Sequence, residues 1–248
     1  MSEALDSATY DELWDQWKDY IRYHPGARHR RRLLVELLAS LPPFEQVLDV
    51  GCGLGQTLDL IQARFPQAHD LTGVDLSPHA VDQLRARGDG RRYEVLDLSQ
   101  GHLDEQFELV ICGEVIEHLQ DQAEAVRNLV AMTKPGGHLL VTCPTGRVFA
   151  TERSFGHLHH PTLEELEALG ASLGLEVVQA VNWGWPFYRA LKWATNIKPD
   201  VALNQFANGR YGLGKKLLSR TLYRFLFVGQ RDSTHGCQLL VLFRRATT

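Results

Sequence analysis

The sequence predicts an α/β fold built on a doubly wound sheet of seven strands. Between residues 46 and 182, six short apolar runs alternate with helical patterns at the spacing of βαβ units. The first run breaks into a turn with three glycines at alternate positions, which is typical of a central parallel strand facing a ligand. A seventh apolar run comes near the carboxyl end, after a long insertion. These observations favour a mostly parallel sheet covered by helices on both faces.

The individual elements follow from local patterns. Leu13, Trp14, Trp17 and Ile21 recur at helical spacing, so we expect an amphipathic helix at about 10–20. The apolar runs predict strands at 47–50, 70–75, 92–96, 109–112, 138–142, 175–181 and 237–243. The helical patterns predict helices at 54–65, 78–87, 122–133 and 163–173.

The glycine turn and a nearby acid indicate a nucleoside site. Gly51, Gly53 and Gly55 follow the first strand, and without side chains they let a ligand lie against the backbone. Asp75 ends the second strand, where a carboxylate can accept hydrogen bonds from both ribose hydroxyls. A dinucleotide site would need a third glycine where this chain has Gln56, so a phosphate cradle is not favoured.

Five motifs in order resemble those of the class I S-adenosylmethionine-dependent methyltransferases. They read VLDVGCGLGQ at 47–56, LTGVD at 71–75, YEVLDL at 93–98, FELVICGEVIEH at 107–118 and KPGGHLLVT at 134–142. The resemblance implies that the last strand is antiparallel beside the sixth, and that S-adenosylmethionine is the cofactor and S-adenosylhomocysteine its product. It also implies a set of cofactor-binding residues, namely Asp49, Gly51, Cys52, Gly53, Gly55, Asp75, Leu76, Asp97, Leu98, Gly113 and Glu114.

Within that superfamily the chain is most similar to the ubiquinone-biosynthesis O-methyltransferases and related small-molecule enzymes. The stretch YHPGARHRRR at 23–32 resembles their segment before the sheet, which implies that Arg28 binds the cofactor carboxylate. The alternative is that these arginines form the solvated start of a helix. We therefore predict that the chain is organised as a helical cap at 1–45, a cofactor-binding core at 46–182, a helical insertion at 183–231 and the last strand of the core at 232–248.

Two groups of histidines are candidates for acid–base chemistry. His118 ends the fourth motif, and a neutral imidazole there could take a proton from an acceptor hydroxyl. His157 and His160 follow the fifth strand in a loop that faces the substrate in this fold, so each is a second candidate base. The alternative is that they anchor the loop, where Thr162 and Glu165 form a capping box. The EVIEH end of the fourth motif is linked to a divalent metal in the ubiquinone enzymes, but it also occurs in metal-free relatives, so we assign no metal ligand.

The insertion at 183–231 is the second most informative feature. It contains ten aromatic residues, and nine basic residues against one acidic residue give it a net charge of +8, whereas the whole chain has −4. As a helical lid it would line an acceptor pocket, and as a basic amphipathic surface it would contact anionic membrane lipid or an acidic carrier protein. The third alternative is a helical subdomain whose aromatic residues form its own core.

The remaining composition narrows the functional class. The net charge of −4 excludes a protein that coats nucleic acid, and no apolar run approaches the length of a bilayer span. The amino terminus lacks the pattern of a signal peptide, and the four cysteines lack metal-ligand spacing, so a cytoplasmic location is expected.

The sequence therefore predicts a methyltransferase that acts on a small molecule, by O-methylation of a hydroxyl or carboxyl group. The expected acceptor is anionic or amphipathic, and no nucleic-acid partner is expected. The alternatives are C- or N-methylation of a lipid-like or carrier-bound substrate, and a catalytically silent scaffold that only binds the cofactor.

Overall fold

The computed structural model describes residues 6–204, 210–227 and 232–247, and it describes the backbone alone for residues 10 and 12–16. Phe206 and Arg231 of the predicted insertion lie outside this description, as do the side chains of Leu13 and Trp14.

A single seven-stranded sheet confirms the predicted fold class. Its strands run in the order β3-β2-β1-β4-β5-β7-β6, and β7 is antiparallel to both of its neighbours. Their bounds are β1 Gln46–Val50, β2 Asp70–Asp75, β3 Arg92–Val95, β4 Phe107–Gly113, β5 Thr133–Pro144, β6 Leu175–Trp183 and β7 Gln238–Arg245.

Register aligns the carboxyl ends of the central strands. Val50 at the end of β1 pairs with Val74 of β2 and with Cys112 of β4. The glycine turn, Asp75 and the residues after β4 are therefore brought to one edge of the sheet. In open α/β sheets ligands bind at this edge, where the order of the strands reverses.

Helices cover both faces of the sheet and its carboxyl edge. In chain order they are α1 Ser7–Tyr23, α2 Pro25–Leu38, α3 Gln56–Arg64, α4 Pro78–Arg85, α5 Gln122–Met132, α6 Ala150–Ser154, α7 Leu163–Ser172, α8 Phe187–Thr195, α9 Pro199–Ala202 and α10 Leu213–Leu222. A 3₁₀ turn at Ile116–His118 follows β4, and a π-helical turn at Tyr223–Phe227 follows α10. The central strands β1, β2, β4, β5 and β7 are mostly buried on both faces, as a sheet covered by helices requires, whereas the edge strand β6 exposes Val177 and Val178.

The amino-terminal cap consists of two helices, one over the predicted amphipathic stretch and a second that begins within the basic stretch at 23–32. Asp6 caps α1 by accepting from the N–H of Thr9, and α2 begins at Pro25, immediately after the first helix. Proline fits the first position of a helix because its missing N–H has no partner there. The Asp11 carboxylate accepts from the hydroxyl of Ser77, which joins α1 to the start of α4.

Part of the insertion packs into the core, and part lies over the carboxyl edge of the sheet. Trp183 and Phe227 contact the buried ring of His29, and Tyr188 stacks on Trp183 at 5.2 Å between ring centroids. Three of the ten aromatic residues of the insertion therefore pack in or against the hydrophobic core. Among the described residues, no helix is both long and apolar enough to cross a membrane.

Candidate active site

A cavity of about 820 Å³ opens at the carboxyl edge of the sheet. Its floor comes from the ends of β1, β2 and β4, and its sides and roof come from α1, α2, α6, α8 and α10. Nine of the twelve predicted cofactor-binding residues line it, namely Gly51, Cys52, Gly53, Asp75, Leu76, Asp97, Leu98, Gly113 and Glu114. All five sequence motifs contribute to this cavity, since Thr142 of the fifth motif also lines it.

The glycine turn is held in a backbone conformation that side chains resist. Gly51 and Gly53 have φ values of 72° and 51°, in the left-handed region. A Cβ at Gly51 would also lie 2.2 Å from a methyl carbon of Val115, so the loop after β4 leaves no room for one. Gly55 does not line the cavity, and it serves as the left-handed residue that precedes α3.

Asp75 links the glycine turn to the start of α4. One carboxylate oxygen accepts from the N–H of Gly53 at 2.8 Å, and the other accepts from the N–H of Ser77 at 2.9 Å. Burial raises the pKa of Asp75, while these two N–H groups act in the opposite direction. The side chain is thus fixed at the cavity wall.

Asp49 lies within β1 and is buried, and it does not line the cavity. Burial, with the charge of Asp75 second, raises its pKa to about 8. Its Oδ2 atom has no hydrogen-bond partner among the described residues. A buried carboxylate oxygen in this condition is stabilised by a donor or a cation, and an ammonium group supplies both.

The structure does not place Arg28 at the cavity. Its guanidinium lies over the ring of Tyr223, 5.3 Å from the centroid, and Arg30 and Arg31 reach the cavity instead. The reason is helical periodicity, because α2 presents Ala27, Arg30, Arg31 and Leu34 to the cavity at i, i+3, i+4 and i+7. Arg28 lies on the flank of that stripe.

Glu114 is the one described residue other than glycine with a positive φ, at 59°. Its carboxylate forms an ion pair with Arg30 at 2.6 Å and accepts from the Thr142 hydroxyl at 3.2 Å. Left-handed backbone at a residue with a side chain costs free energy and is found preferentially at functional sites. The sequence offered no signal for this strain.

Three histidines form a chain beside the cavity. His118 and His157 line it with ring centroids 4.7 Å apart, while the buried His160 lies behind, its Nε2 2.8 Å from Nδ1 of His157. Burial lowers the pKa of His118 to about 4 and that of His160 to about 3. Burial, followed by the neighbouring His118, lowers the pKa of His157 to about 2. All three rings are therefore neutral at pH 7, and one ring nitrogen of the His157–His160 contact must donate.

Two overlapping groups of side chains here bring their ligand atoms within 4.8 Å of one another, close enough to hold a metal ion. They are Glu117, His118 and His157, and Glu152, His157 and His160. Glu117 is fully buried, and neither carboxylate oxygen has a hydrogen-bond partner among the described residues. Burial raises the pKa of Glu117 well above its ordinary value, which favours the neutral acid when no metal ion is bound.

Lys192 of α8 is the basic residue of the insertion that enters the cavity wall most deeply. It is 8% exposed, and its ammonium lies 2.5 Å from a carboxylate oxygen of Glu152. Glu152 also accepts from the N–H of Phe149, which fixes it at the start of α6. Arg189, one turn earlier, is exposed and donates to the carbonyl of His235, away from the cavity. Sequence analysis did not single out Glu152, since nothing in its local pattern distinguishes it from a surface acid.

A family model described as a methyltransferase domain matches residues 21–180 of this chain. Nodulation protein S of Rhizobium tropici is 35% identical over 132 residues, which cover 51% of this chain and 53% of that protein. The trans-aconitate 2-methyltransferase of Escherichia coli (strain 55989 / EAEC) is 31% identical over 130 residues, which cover 52% of this chain and 51% of that protein. The chain thus matches about half the length of these curated relatives.

Solved structures show the same fold. The N-methyltransferase NodS of Bradyrhizobium japonicum WM9, in complex with S-adenosylhomocysteine, has a TM-score of 0.60 at 20% identity, covering 96% of this chain and 97% of that chain. The cyclase SpnF has a TM-score of 0.65 at 17% identity, covering 99% of both chains. Because one of these names specifies a cyclase, the fold alone does not determine the reaction.

Proposed function

The chain belongs to the methyltransferase-domain family, and on that premise we propose that it is an S-adenosylmethionine-dependent methyltransferase acting on a small molecule. The observation that carries this proposal is the contact between Asp75 and Gly53 at the wall of the cavity. It joins a carboxylate suited to ribose hydroxyls with a glycine backbone left open to a ligand.

The residues present fit the cofactor. Asp75 would accept from the ribose hydroxyls. Asp97 accepts from the N–H of Ser99 through Oδ1, and its side chain would face the adenine. Asp49 offers a buried oxygen without a partner to the ammonium group, and Arg30 or Arg31 offers a cation to the carboxylate. When bound, S-adenosylmethionine supplies a methyl group on a positively charged sulfur.

The part of the cavity farther from the glycine turn supports an amphipathic acceptor. Its walls include the aromatic residues Trp17, Tyr20, Phe155 and Tyr188, which suit an aromatic or aliphatic body. Lys192 lies in the same wall, where its ammonium pairs with Glu152 and retains N–H donors for an acidic group on that body. We therefore propose that the insertion at 183–231 acts in part as a lid, with α8 and α10 closing over the acceptor.

The chain's part in the chemistry is to align the acceptor oxygen and to receive its proton. We assign the proton to His157 or His118, because both line the cavity and a neutral imidazole has one ring nitrogen that can accept. With the cofactor bound, the ring nitrogen would receive the proton of the acceptor hydroxyl as the methyl group is transferred to its oxygen. His160 touches only His157 in this group, so it is a positioning residue.

N-methylation is the second candidate reaction. It is favoured by the name of a structural neighbour, which is an N-methyltransferase. An acceptor that is bound as an ammonium ion must lose a proton before its nitrogen can attack, so the same histidines would serve it.

Calorimetric titration with S-adenosylhomocysteine tests the cofactor assignment. Asp75→Ala should weaken binding by about 2 kcal/mol, roughly 30-fold, because charge-assisted hydrogen bonds are lost. The control is Asp82→Ala, whose side chain is 73% exposed on α4. Equal affinity in both variants would contradict the assignment.

Turnover tests the activity. Mass spectrometry should detect S-adenosylhomocysteine when amphipathic acids bearing a hydroxyl are supplied, and less or none with the matched amines. Product with the amines alone would favour N-methylation. Tight cofactor binding with no product from any acceptor would favour a silent scaffold.

A further inference from the structure

The outer side of the roof over the cavity carries an unusual concentration of exposed apolar side chains. Among the described residues, nine of the twelve large apolar residues that are exposed belong to the segment 183–231. The most prominent are Leu213, Phe225, Leu217 and Trp193, with exposed fractions of 88%, 77%, 67% and 64%. The surfaces of soluble monomeric proteins rarely carry such residues close together, and a patch of this kind marks an interaction surface.

The same segment holds the excess positive charge of the chain. Its net charge of +8 leaves −12 for the other residues, because the whole chain carries −4. Leu217, Arg220 and Arg224 recur at i, i+3 and i+7, and all three side chains are exposed. One exposed face of the stretch from α10 into the π-helical turn therefore carries both apolar and basic side chains. This combination suits an anionic membrane surface, where apolar groups enter the headgroup region and long basic side chains reach the lipid phosphates.

These surfaces are continuous with the cavity. Leu218 lines the cavity and is also 50% exposed, and α8 combines the cavity-lining Leu191 with the exposed Trp193. The helices of the roof thus have one side toward the acceptor space and the other toward solvent.

We propose that the outer side of α8 and α10, with the π-helical turn, binds the surface of a membrane that contains anionic lipid. Trp185, Phe187, Trp193 and Phe225 would enter the headgroup region, where aromatic side chains are favoured. Lys198, Arg220 and Arg224 would contact the lipid phosphates, and each such cation adds to the attraction. The acidic remainder of the chain would be repelled by the same membrane, which fixes the orientation of the protein.

Charge and apolar exposure together favour a membrane over two other partners that could cover this surface. A second copy of the chain would bring the same positive excess against itself, which disfavours a dimer through this surface. An acidic carrier protein would match the cations, but charge pairing alone leaves the protruding tryptophan and leucine side chains without an apolar environment. A bilayer interface offers anionic phosphates to the cations and an apolar environment to the tryptophan and leucine side chains.

Sedimentation of the full chain with lipid vesicles tests the proposal. Vesicles of phosphatidylcholine with one third phosphatidylglycerol should bind the protein, and vesicles of phosphatidylcholine alone should bind it at least tenfold less. Raising the salt concentration should weaken binding to the anionic vesicles. The measurement needs neither cofactor nor acceptor, so its result is independent of the proposed methyl transfer.

Matched variants locate the surface. The pair Lys198→Glu and Arg220→Glu should reduce binding at least tenfold, and so should the pair Trp193→Ser and Leu217→Ser. The controls lie outside the insertion: Arg64→Glu on α3 for charge, and Val177→Ser with Val178→Ser on the exposed edge strand β6 for apolar area. Circular dichroism and affinity for S-adenosylhomocysteine should be unchanged in every variant.

Three results would overturn the proposal. The first is no binding to either vesicle, and the second is equal loss in the control variants. The third is a concentration-dependent dimer in analytical ultracentrifugation that the Trp193→Ser, Leu217→Ser pair abolishes, since the surface would then be a contact between copies.

Discussion

The guanidinium of Arg30 lies 2.6 Å from the carboxylate of Glu114, so the amino-terminal cap is tied to the loop that follows β4. Both side chains are 23% exposed and line the same cavity. Glu114 holds a left-handed backbone, and the ion pair together with the Thr142 hydroxyl fixes the direction of its carboxylate. The contact spans 84 positions of the chain, so it exists only when α2 has closed over the sheet.

Removing the cation should loosen this closure. We expect Arg30→Met to weaken S-adenosylhomocysteine binding by about tenfold, because Glu114 would keep a half-buried charge without its partner. Calorimetry would measure the change. Arg32→Met on the same helix is the control, since Arg32 pairs with Glu36 one turn along rather than with the cavity. If both variants bind alike, the ion pair does not organise the site.

The glycine turn should not accept a side chain. We expect Gly53→Val to abolish cofactor binding while circular dichroism remains native, because Gly53 has a positive φ and faces the cavity. Gly101→Val is the matched control, since its added Cβ would meet nothing within 4 Å. Normal affinity in the Gly53 variant would remove the turn from the cofactor site.

The histidine chain should affect turnover rather than cofactor affinity. If His157 or His118 accepts the proton, its replacement by asparagine should lower kcat by roughly 10²–10⁴-fold at unchanged affinity for S-adenosylhomocysteine. His160→Asn should give a smaller loss and alter the pH profile, because it acts through His157. The exposed His159, in the same loop, provides the control. An unaltered kcat in both cavity variants would indicate alignment without a base.

Lys192 should control acceptor recognition. We expect Lys192→Gln to raise the acceptor KM about tenfold or more for an acidic acceptor, with little change for a neutral analogue, because the buried cation is lost. Arg189→Gln is the control, since Arg189 is exposed and faces away from the cavity. Equal KM values for the two variants would mean that no acidic group of the acceptor reaches Lys192.

Acid should destabilise the fold in a defined pH window. Burial lowers the pKa of His24 and of His118 from 6.5 to about 4, with the charge of Arg30 adding to the effect at His24. Between pH 6.5 and 4 the unfolded chain takes up protons at these groups and the folded chain does not, so the free energy of unfolding falls as the pH falls.

Urea unfolding at pH 7, 6 and 5 measures this dependence. His118→Asn should reduce the slope of the free energy of unfolding against pH by about 1 kcal/mol per pH unit between pH 6 and 5. His102→Asn, at an exposed position, should leave it unchanged. Identical slopes would show that His118 is not buried in the neutral form.

Much of the cofactor region could be predicted because its signals are local. A strand followed by a glycine turn needs only a few consecutive residues, and Asp75 follows from its place at the end of a strand. The assignment of Arg28 shows the limit, since the cavity-facing stripe of α2 is determined by how the helix packs and not by its sequence alone.

The sequence by itself determined the fold class, the order of the strands along the chain and the edge of the sheet where a ligand binds, because hydrophobic period and turn residues are properties of neighbouring positions. Only the tertiary structure decided which distant groups meet. Arg30 reaches Glu114, Lys192 reaches Glu152, and His160 lies behind His157, while Arg189 points away. These contacts depend on how separately formed helices dock on the sheet, and the burial that follows is what makes the histidines neutral and the carboxylates hard to ionise.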